Sequence, residues 1–498
     1  MTDACDLTAL EARRLIGTRK LSPVELVQSC LARIGEVDKA VNAMVALDTD
    51  RALAAARNAE REAKGGARLG PLHGLPLGIK DLEDTAGLVT TYGSPIFRDH
   101  VPDRDQGMVA RLREAGGIVL GKTNTPEFGA GANTRNAVYG ATGNPFDPTR
   151  SAAGSSGGSA VALACGMVPL ASGSDTGGSL RNPAAFCGIV GFRPSPGIVP
   201  SGRRPIGWTP LPVLGPMARN VPDLCLMMSA MASDDAADPL AYTLHDRPAR
   251  AVPADFFPVR RVDLSSLRVA ATEDLGFAPT EGLVREAFRA RVAALEPLFG
   301  ELRQGHPDSS GADEAFAVLR ADNFLAGLGD KVRANPQDYG PNVRANVAEG
   351  DGYSLADHAR AAVTQTAIYR RWQAFFRDVD VMISPAITVS PRPWSELYPR
   401  VIDGQETHSY FHWLALAYGV TLVGHPAISL PMGVDSRGMP FGLQIIGPRG
   451  GDALVLAVAA AIEAEVKGDP TLARPVPDLG RLRQAPPISG MPGFIGFD

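Results

Sequence analysis

Cysteine is scarce in this sequence, and the five present (Cys5, Cys30, Cys165, Cys187, Cys225) are odd in number and scattered. No C-x-x-C or H-E-x-x-H spacing occurs. A disulfide framework and a structural zinc are therefore disfavoured, and reduced thiols in the cytoplasm fit best. Aromatic residues make up only 6% of the chain, so Ala, Val, Leu and Ile must fill the core. There is no polybasic run, and the formal net charge is −5. Nucleic acid and anionic membrane surfaces find no electrostatic counterpart here. The opening MTDACDLTALEARR lacks the apolar centre of a secretory leader. The most apolar stretches, around residues 161–171 and 454–462, fall short of the ~20 residues that span a bilayer. No internal repeat suggests a solenoid or propeller.

What is present is ordinary globular composition: 498 residues, 45% hydrophobic and 21% charged. The 54 glycines and 41 prolines follow no collagen-like period, so they mark tight turns. Ser22-Pro23-Val24-Glu25 offers an N-cap, a proline at the first helical position and a nearby glutamate. Leu26, Val27, Leu31 and Ile34 then recur at helical spacing. Residues 52–64 read as a second helix. From Leu72 onward the texture changes to short apolar runs punctuated by Gly and Pro: LPLGIKD, GIVLGKT, MVPLASGSD. These read as buried strands, the last over residues 167–171. Further strands are expected at 267–271, VDVMISPA and PFGLQIIGP, and further helices at 281–299, 361–376 and 453–464. Residues 304–352 read as polar and irregular. The alternation predicts an α/β architecture.

One motif misleads. Gly116, four residues, then Gly121-Lys122-Thr123 satisfies the spacing of a phosphate-binding loop. The intervening Gly117-Ile118-Val119-Leu120 wants to be a strand itself. Pro126 disfavours helical geometry at Thr125, where the motif needs a helix to begin. A nucleotide site is rejected on that context.

Two Gly/Ser clusters carry more. GSSGGS occupies residues 154–159 and DTGGS residues 175–179. Apolar segments flank both, so neither reads as a linker. In the second, glycines can turn the backbone so that several N–H groups converge beside the Ser179 hydroxyl, the makings of a nucleophile and its oxyanion hole. A tight turn with a capping serine remains an equal reading. Gly154-x-Ser156-x-Gly158 formally matches a nucleophile elbow, with His408, His412 and His425 downstream. However, turn sequence rather than a strand precedes it, against an α/β-hydrolase triad. The other candidate base is Lys80, which ends the apolar run 75–79. Burial there would lower its pKa from ~10.4 toward neutrality. Pairing with Asp81, Glu83 or Asp84 is the competing expectation.

Taken together, LHGLPLGIKDLEDTAGLVTTYGS, GGIVLGKTNTPEFG, the stretch from YGATGNPFDPTRSAAGSSGGSAVALACG to SDTGGSLRNPAAFCGIVGFRPS, and GHPAISLPMGVDSRGMPFGLQIIGP resemble the amidase signature hydrolases. The resemblance covers most of residues 5–465 in the family's order. It implies a single large α/β domain with a central mixed, twisted sheet covered by helices. In that frame residues 1–65 are an N-terminal helical segment packing on the core. Residues 66–480 form the signature domain, with its catalytic core at about 72–225, and 481–498 a C-terminal tail. The resemblance further implies a Ser–cis-Ser–Lys triad: Ser179 as nucleophile, Ser155 as the bridging serine after a cis peptide, Lys80 as base. Backbone N–H groups of Thr176, Gly177, Gly178 and Ser179 would form the oxyanion hole, supported by Ser156, Asp175 and Arg181. No metal or organic cofactor is implied. Some relatives are glutamine-hydrolysing components of a tRNA-dependent amidotransferase. Their amino-acid-binding Arg falls here near Ala345 or Asn346, with Arg344 close by, and their Asp near Leu414. A stand-alone amidase acting on a small amide, in a homodimer, is therefore favoured, with a non-catalytic binder as a further alternative. Substrate contacts are expected from Phe128, Gly129, Ala130 and Gly131, and from loop tryptophans Trp208 and Trp394.

Overall fold

The apolar runs after Leu72 build the centre of the molecule. In a computed structural model, which describes residues 3–202, 204–241 and 253–495, they lie in one eleven-stranded sheet. In chain order the strands are β1 (Met44–Leu47), β2 (Pro76–Lys80), β3 (Ile118–Thr123) and β4 (Leu170–Asp175). Then follow β5 (Val190–Arg193), β6 (Val213–Ala218), β7 (Arg268–Ala271) and β8 (Glu301–Gln304), and finally β9 (Val381–Pro385), β10 (Ala427–Val434) and β11 (Pro440–Ile446). Across the sheet the order is β1-β3-β2-β4-β6-β5-β10-β11-β9-β7-β8. Pairing is mixed: β2 runs parallel to β3 and β4, β4 antiparallel to β6, and β9 parallel to β7. β2, β3, β9 and β11 are buried along their whole length, because helices cover both faces. Strands so covered carry unbroken apolar runs instead of alternation, as the sequence does.

The helix signals fold locally as their chemistry dictates. Ser22 caps Pro23–Val41, its hydroxyl accepting from the Val24 N–H at 3.0 Å. Asp48 caps Thr49–Gly65 in the same way. The first Gly/Ser cluster opens the wholly buried helix Gly157–Ala164. A Cβ on Gly158 would stand 2.2 Å from the Asn124 nitrogen, so only glycine lets this helix sit against the end of β3. Among the described residues no helix is long and apolar enough to cross a membrane.

Two expectations need correction. β4 starts at Leu170, not at residue 167: Gly166 at φ +71° ends the preceding helix, and the Met167 N–H still bonds back to the Ala162 carbonyl. The strand therefore extends to Asp175 and carries Ser172 and Ser174. Residues 304–352 are not irregular. They hold helices Ala312–Phe324, Asp330–Ala334 and Pro341–Asp351, the first two joined by a π-turn at Leu325–Gly329. Ala312, Ala315, Phe316 and Val318 bury against the rest of the core, while Val332, Val343 and Val347 form a separate small cluster. Polar residues between them hide the helical stripe.

Candidate active site

β2 ends at Lys80, whose side chain is fully buried. Its Nζ lies 2.7 Å from Ser155 Oγ, 2.9 Å from Ser156 Oγ and 2.9 Å from Ser174 Oγ. The backbone N–H of Lys80 donates to Ser172 Oγ at 3.0 Å, which locks the strand end against β4. Among the described residues no carboxylate lies within ion-pair distance of Nζ. The carboxylates expected to pair with it are engaged elsewhere in part: Asp81 accepts from Thr91 and faces Lys122 at 3.8 Å, and Asp84 accepts from Tyr92. Burial pushes the Lys80 amine down to about 7, against the smaller opposing pull of Glu83 and Asp175. A neutral amine can donate two hydrogens and accept one, so a shell of three hydroxyls satisfies it completely.

The false phosphate loop resolves in the same region. Gly121, Lys122 and Thr123 are strand residues of β3. Lys122 Nζ bonds the Glu83 carbonyl and the hydroxyls of Thr85 and Thr90, at 3.1 Å each for the last two. It ties the loop after Lys80 to the sheet.

The two Gly/Ser clusters meet beside Lys80. The Gly154–Ser155 peptide is cis. The Ser156 N–H donates to the Ser179 carbonyl at 3.3 Å, joining one cluster to the other. Ser155, Ser174, Thr176, Gly177 and Ser179 line one cavity of about 280 Å³. Among the described residues, the N–H groups of Thr176, Gly177 and Ser179 donate to no protein acceptor. Gly178 differs: its N–H donates to Asp175 Oδ1 at 3.0 Å. Gly178 has φ +104°, and a Cβ there would meet Ala417 Cβ at 2.4 Å. The turn requires glycine.

Asp175 fixes that turn. Its carboxylate, wholly buried, accepts from the Gly178 and Leu180 N–H groups and from both Arg181 and Arg193. Despite burial, the two guanidiniums hold it well below the usual carboxylate range. Arg181 also donates to Gln444 and Thr421, anchoring the turn to β11.

Of the expected substrate contacts, Phe128, Gly129 and Gly131 line the cavity. Ala130 is buried behind it with Val332, Tyr339, Val343 and Val347. The tryptophans go elsewhere. Trp208 is 77% exposed, and Trp394 packs with Ala141 and Ile488, its indole N–H on the Pro148 carbonyl. Neither is among the cavity walls. Size and loop position suggested them, but an aromatic in a loop packs wherever its neighbours leave room. Nor do the histidines join the site: His425 bonds Gln373 and the Gly447 carbonyl, and His412 stacks on His408.

The cavity also holds residues not anticipated from sequence: Ser174, Arg204, Phe316, Arg320 and Tyr410. Ser174 was legible in principle. With β4 placed at 170–175, strand alternation puts it on the face of Ser172. Nothing local marks the others.

The match to known proteins agrees with this geometry. The family profile described as Amidase matches residues 25–456. The chain belongs to the amidase signature family. It is 33% identical to an acylamidase of Rhodococcus erythropolis, over 92% of this chain and 95% of that protein. It is 35% identical to a glutamyl-tRNA(Gln) amidotransferase component from Acidothermus cellulolyticus, over 93% and 95%. Among solved structures, a bacterial aryl acylamidase of the amidase signature family superposes with a TM-score of 0.85 at 25% identity, covering 98% of this chain and 99% of that one. This amidase signature protein is thus an amide-hydrolysing enzyme, built on the mixed sheet that the family resemblance implies.

Proposed function

We propose that the enzyme cleaves a small neutral amide, aryl or alkyl in character, through an acyl-enzyme on Ser179. The observation that carries the reading is the dry Lys80 amine in its shell of serine hydroxyls beside that cavity. Neutral Lys80 accepts the Ser155 proton while Ser155 accepts that of Ser179. The Ser179 oxygen adds to the carbonyl carbon, and the carbonyl electron pair moves to oxygen. Backbone N–H groups of Thr176, Gly177 and Ser179 lie uncommitted beside the nucleophile and are suited to hold that oxyanion. The C–N bond then breaks, and the amine leaves with a proton returned from Lys80 through Ser155. Water repeats the sequence on the ester. Ser156 and Ser174 position the amine.

Charge supports a neutral substrate. Both cations among the described lining residues are already paired, Arg204 with Asp238 at 2.7 Å and Arg320 with Glu349 at 2.8 Å. No carboxylate is among the described lining residues. Among the described residues of that wall, free glutamine, with two opposite charges, finds no uncommitted counterpart. Arg344 is exposed, and Asn346, two residues on, is buried. The acylamidase and aryl acylamidase likenesses point the same way.

A fluorophosphonate probe is expected to label Ser179 and to leave Ser179→Ala unmodified by peptide mass mapping. Labelling of the variant at undiminished rate would assign the nucleophile elsewhere. Because the working base is the neutral amine, kcat/KM should fall as pH drops through about 7 and level off above it. A profile flat from about pH 6 to 9 would contradict Lys80 as base.

A further inference from the structure

One wall of the cavity holds a hydrogen-bond network that ends in uncommitted donors. Arg320 is 4% exposed. Its Nη2 pairs with Glu349 at 2.8 Å, its Nη1 donates to the Tyr410 oxygen at 2.9 Å, and its guanidinium lies 3.9 Å over the Phe411 ring. Its Nε, buried, has no protein partner. The Tyr410 oxygen accepts a second donor, Asn346 Nδ2, at 2.8 Å. That amide's orientation is fixed by its other contact, 2.6 Å to the Asn342 carbonyl, which can only accept. Asn346 Oδ1 has no partner either, so it does not take the Tyr410 proton. With both lone pairs of the phenol engaged by groups that only donate, its hydrogen must point to something else. Among the described residues nothing accepts it, and Tyr410 and Arg320 both line the cavity. Tyr410 is half-buried, so that hydrogen is open to an acceptor on a substrate in the cavity.

We infer that Tyr410 O–H recognises a hydrogen-bond acceptor that the substrate carries in addition to its scissile amide. The acceptor is neutral: a ketone, ester, amide or ether oxygen. Glu349 already balances the Arg320 charge, so a carboxylate would meet donors but no net positive charge, and would lose its water. Phe316, Phe324, Phe411 and Leu414 form the apolar surroundings, suited to an aryl or alkyl body bearing that oxygen. This deepens the proposed function, because it takes the same cavity as the substrate site.

The test uses two arenes without an amide, so binding is read apart from turnover. 4-Aminoacetophenone and 4-isopropylaniline match in shape, and only the first carries the acceptor. By area alone the isopropyl compound should bind better. Calorimetry on the wild-type enzyme is expected to show the ketone tighter by about tenfold, the worth of one well-placed hydrogen bond. In Tyr410→Phe that preference should fall to near one or reverse. A wild-type preference absent or reversed, undetectable binding of both, or a preference unchanged in the variant would each overturn the inference. If Tyr410→Phe fails to fold, the wild-type ratio alone still decides. Failure of the proposed function would instead appear as loss of Ser179 labelling, which these probes do not report.

Discussion

Lys80→Met is expected to lower kcat/KM by about 10⁴-fold or more while the protein stays folded. Methionine nearly matches the lysine stem in length but can neither accept the Ser155 proton nor return it. Stability should move little or rise. In the wild type the fully buried amine titrates near 7, while in the unfolded chain it keeps its ordinary value of 10.5. Between those values the unfolded state binds the extra proton, so this group makes the protein less stable toward neutral pH and more stable as pH rises. The variant loses that slope. Against it stands the loss of the amine's contacts to Ser155, Ser156 and Ser174, about 1 kcal/mol for each hydrogen bond. The difference in Tm between wild type and variant, measured from about pH 7 to 10, isolates the Lys80 term from other buried groups such as Asp38 and Glu463, each pushed up to about 7. Residual activity within tenfold of wild type would end the case for Lys80 as base. A variant that is inactive because it is unfolded would show as a lost melting transition.

Asp175→Asn is expected to damage both stability and turnover. The carboxylate holds two guanidiniums and two backbone N–H groups in a fully buried site. Asparagine leaves Arg181 and Arg193 without their counter-charge and offers one acceptor atom where two are needed. Breaking such a pair from one side costs about 3–5 kcal/mol, equivalent to a Tm fall of roughly 3–5 °C for a chain of this length. Because the folded pKa is depressed, the carboxylate's stabilisation is complete above its unfolded value of 3.8 and is lost only as pH falls below it. The deficit should therefore be the same from about pH 5 to 8. The turn at 176–179 loses its anchor, so kcat should fall by about 10²–10³-fold, the scale of one lost oxyanion donor. A variant with wild-type Tm and kcat would show that the turn holds itself.

Much of the fold was readable because it depends on neighbours in sequence. Ser22 and Pro23 start a helix by local hydrogen bonding and a preset φ, and the short apolar run at 75–79, bounded by turn residues, marks the strand observed at Pro76–Lys80. The rejection of the phosphate loop rested on Ile118 and Val119 and on Pro126, and β3 is where those residues put it. Reading failed where the deciding neighbours are distant. The helices of residues 312–351 bury small residues and leave polar ones between, so no stripe stood out. Their inward side chains, Phe316 and Arg320, face a cavity whose other walls come from Phe128, Ser179 and Tyr410. Trp208 and Trp394 had the right size but the wrong surroundings, and no local pattern distinguishes a tryptophan over a cavity from one in a side cluster.

The sequence by itself determined the chemical parts: a lysine at the end of an apolar strand, and two glycine-serine turns able to close on it. Backbone preferences and hydrophobic runs act over a few residues, so these parts were legible in order. Only the tertiary structure decided that the lysine is fully buried, that Ser174 completes its shell, that Asp175 takes the Gly178 N–H, and that Tyr410 and Arg320 line the neighbouring cavity. Desolvation and the closing of a cavity are produced by side chains from remote segments, and no short stretch of chain contains them.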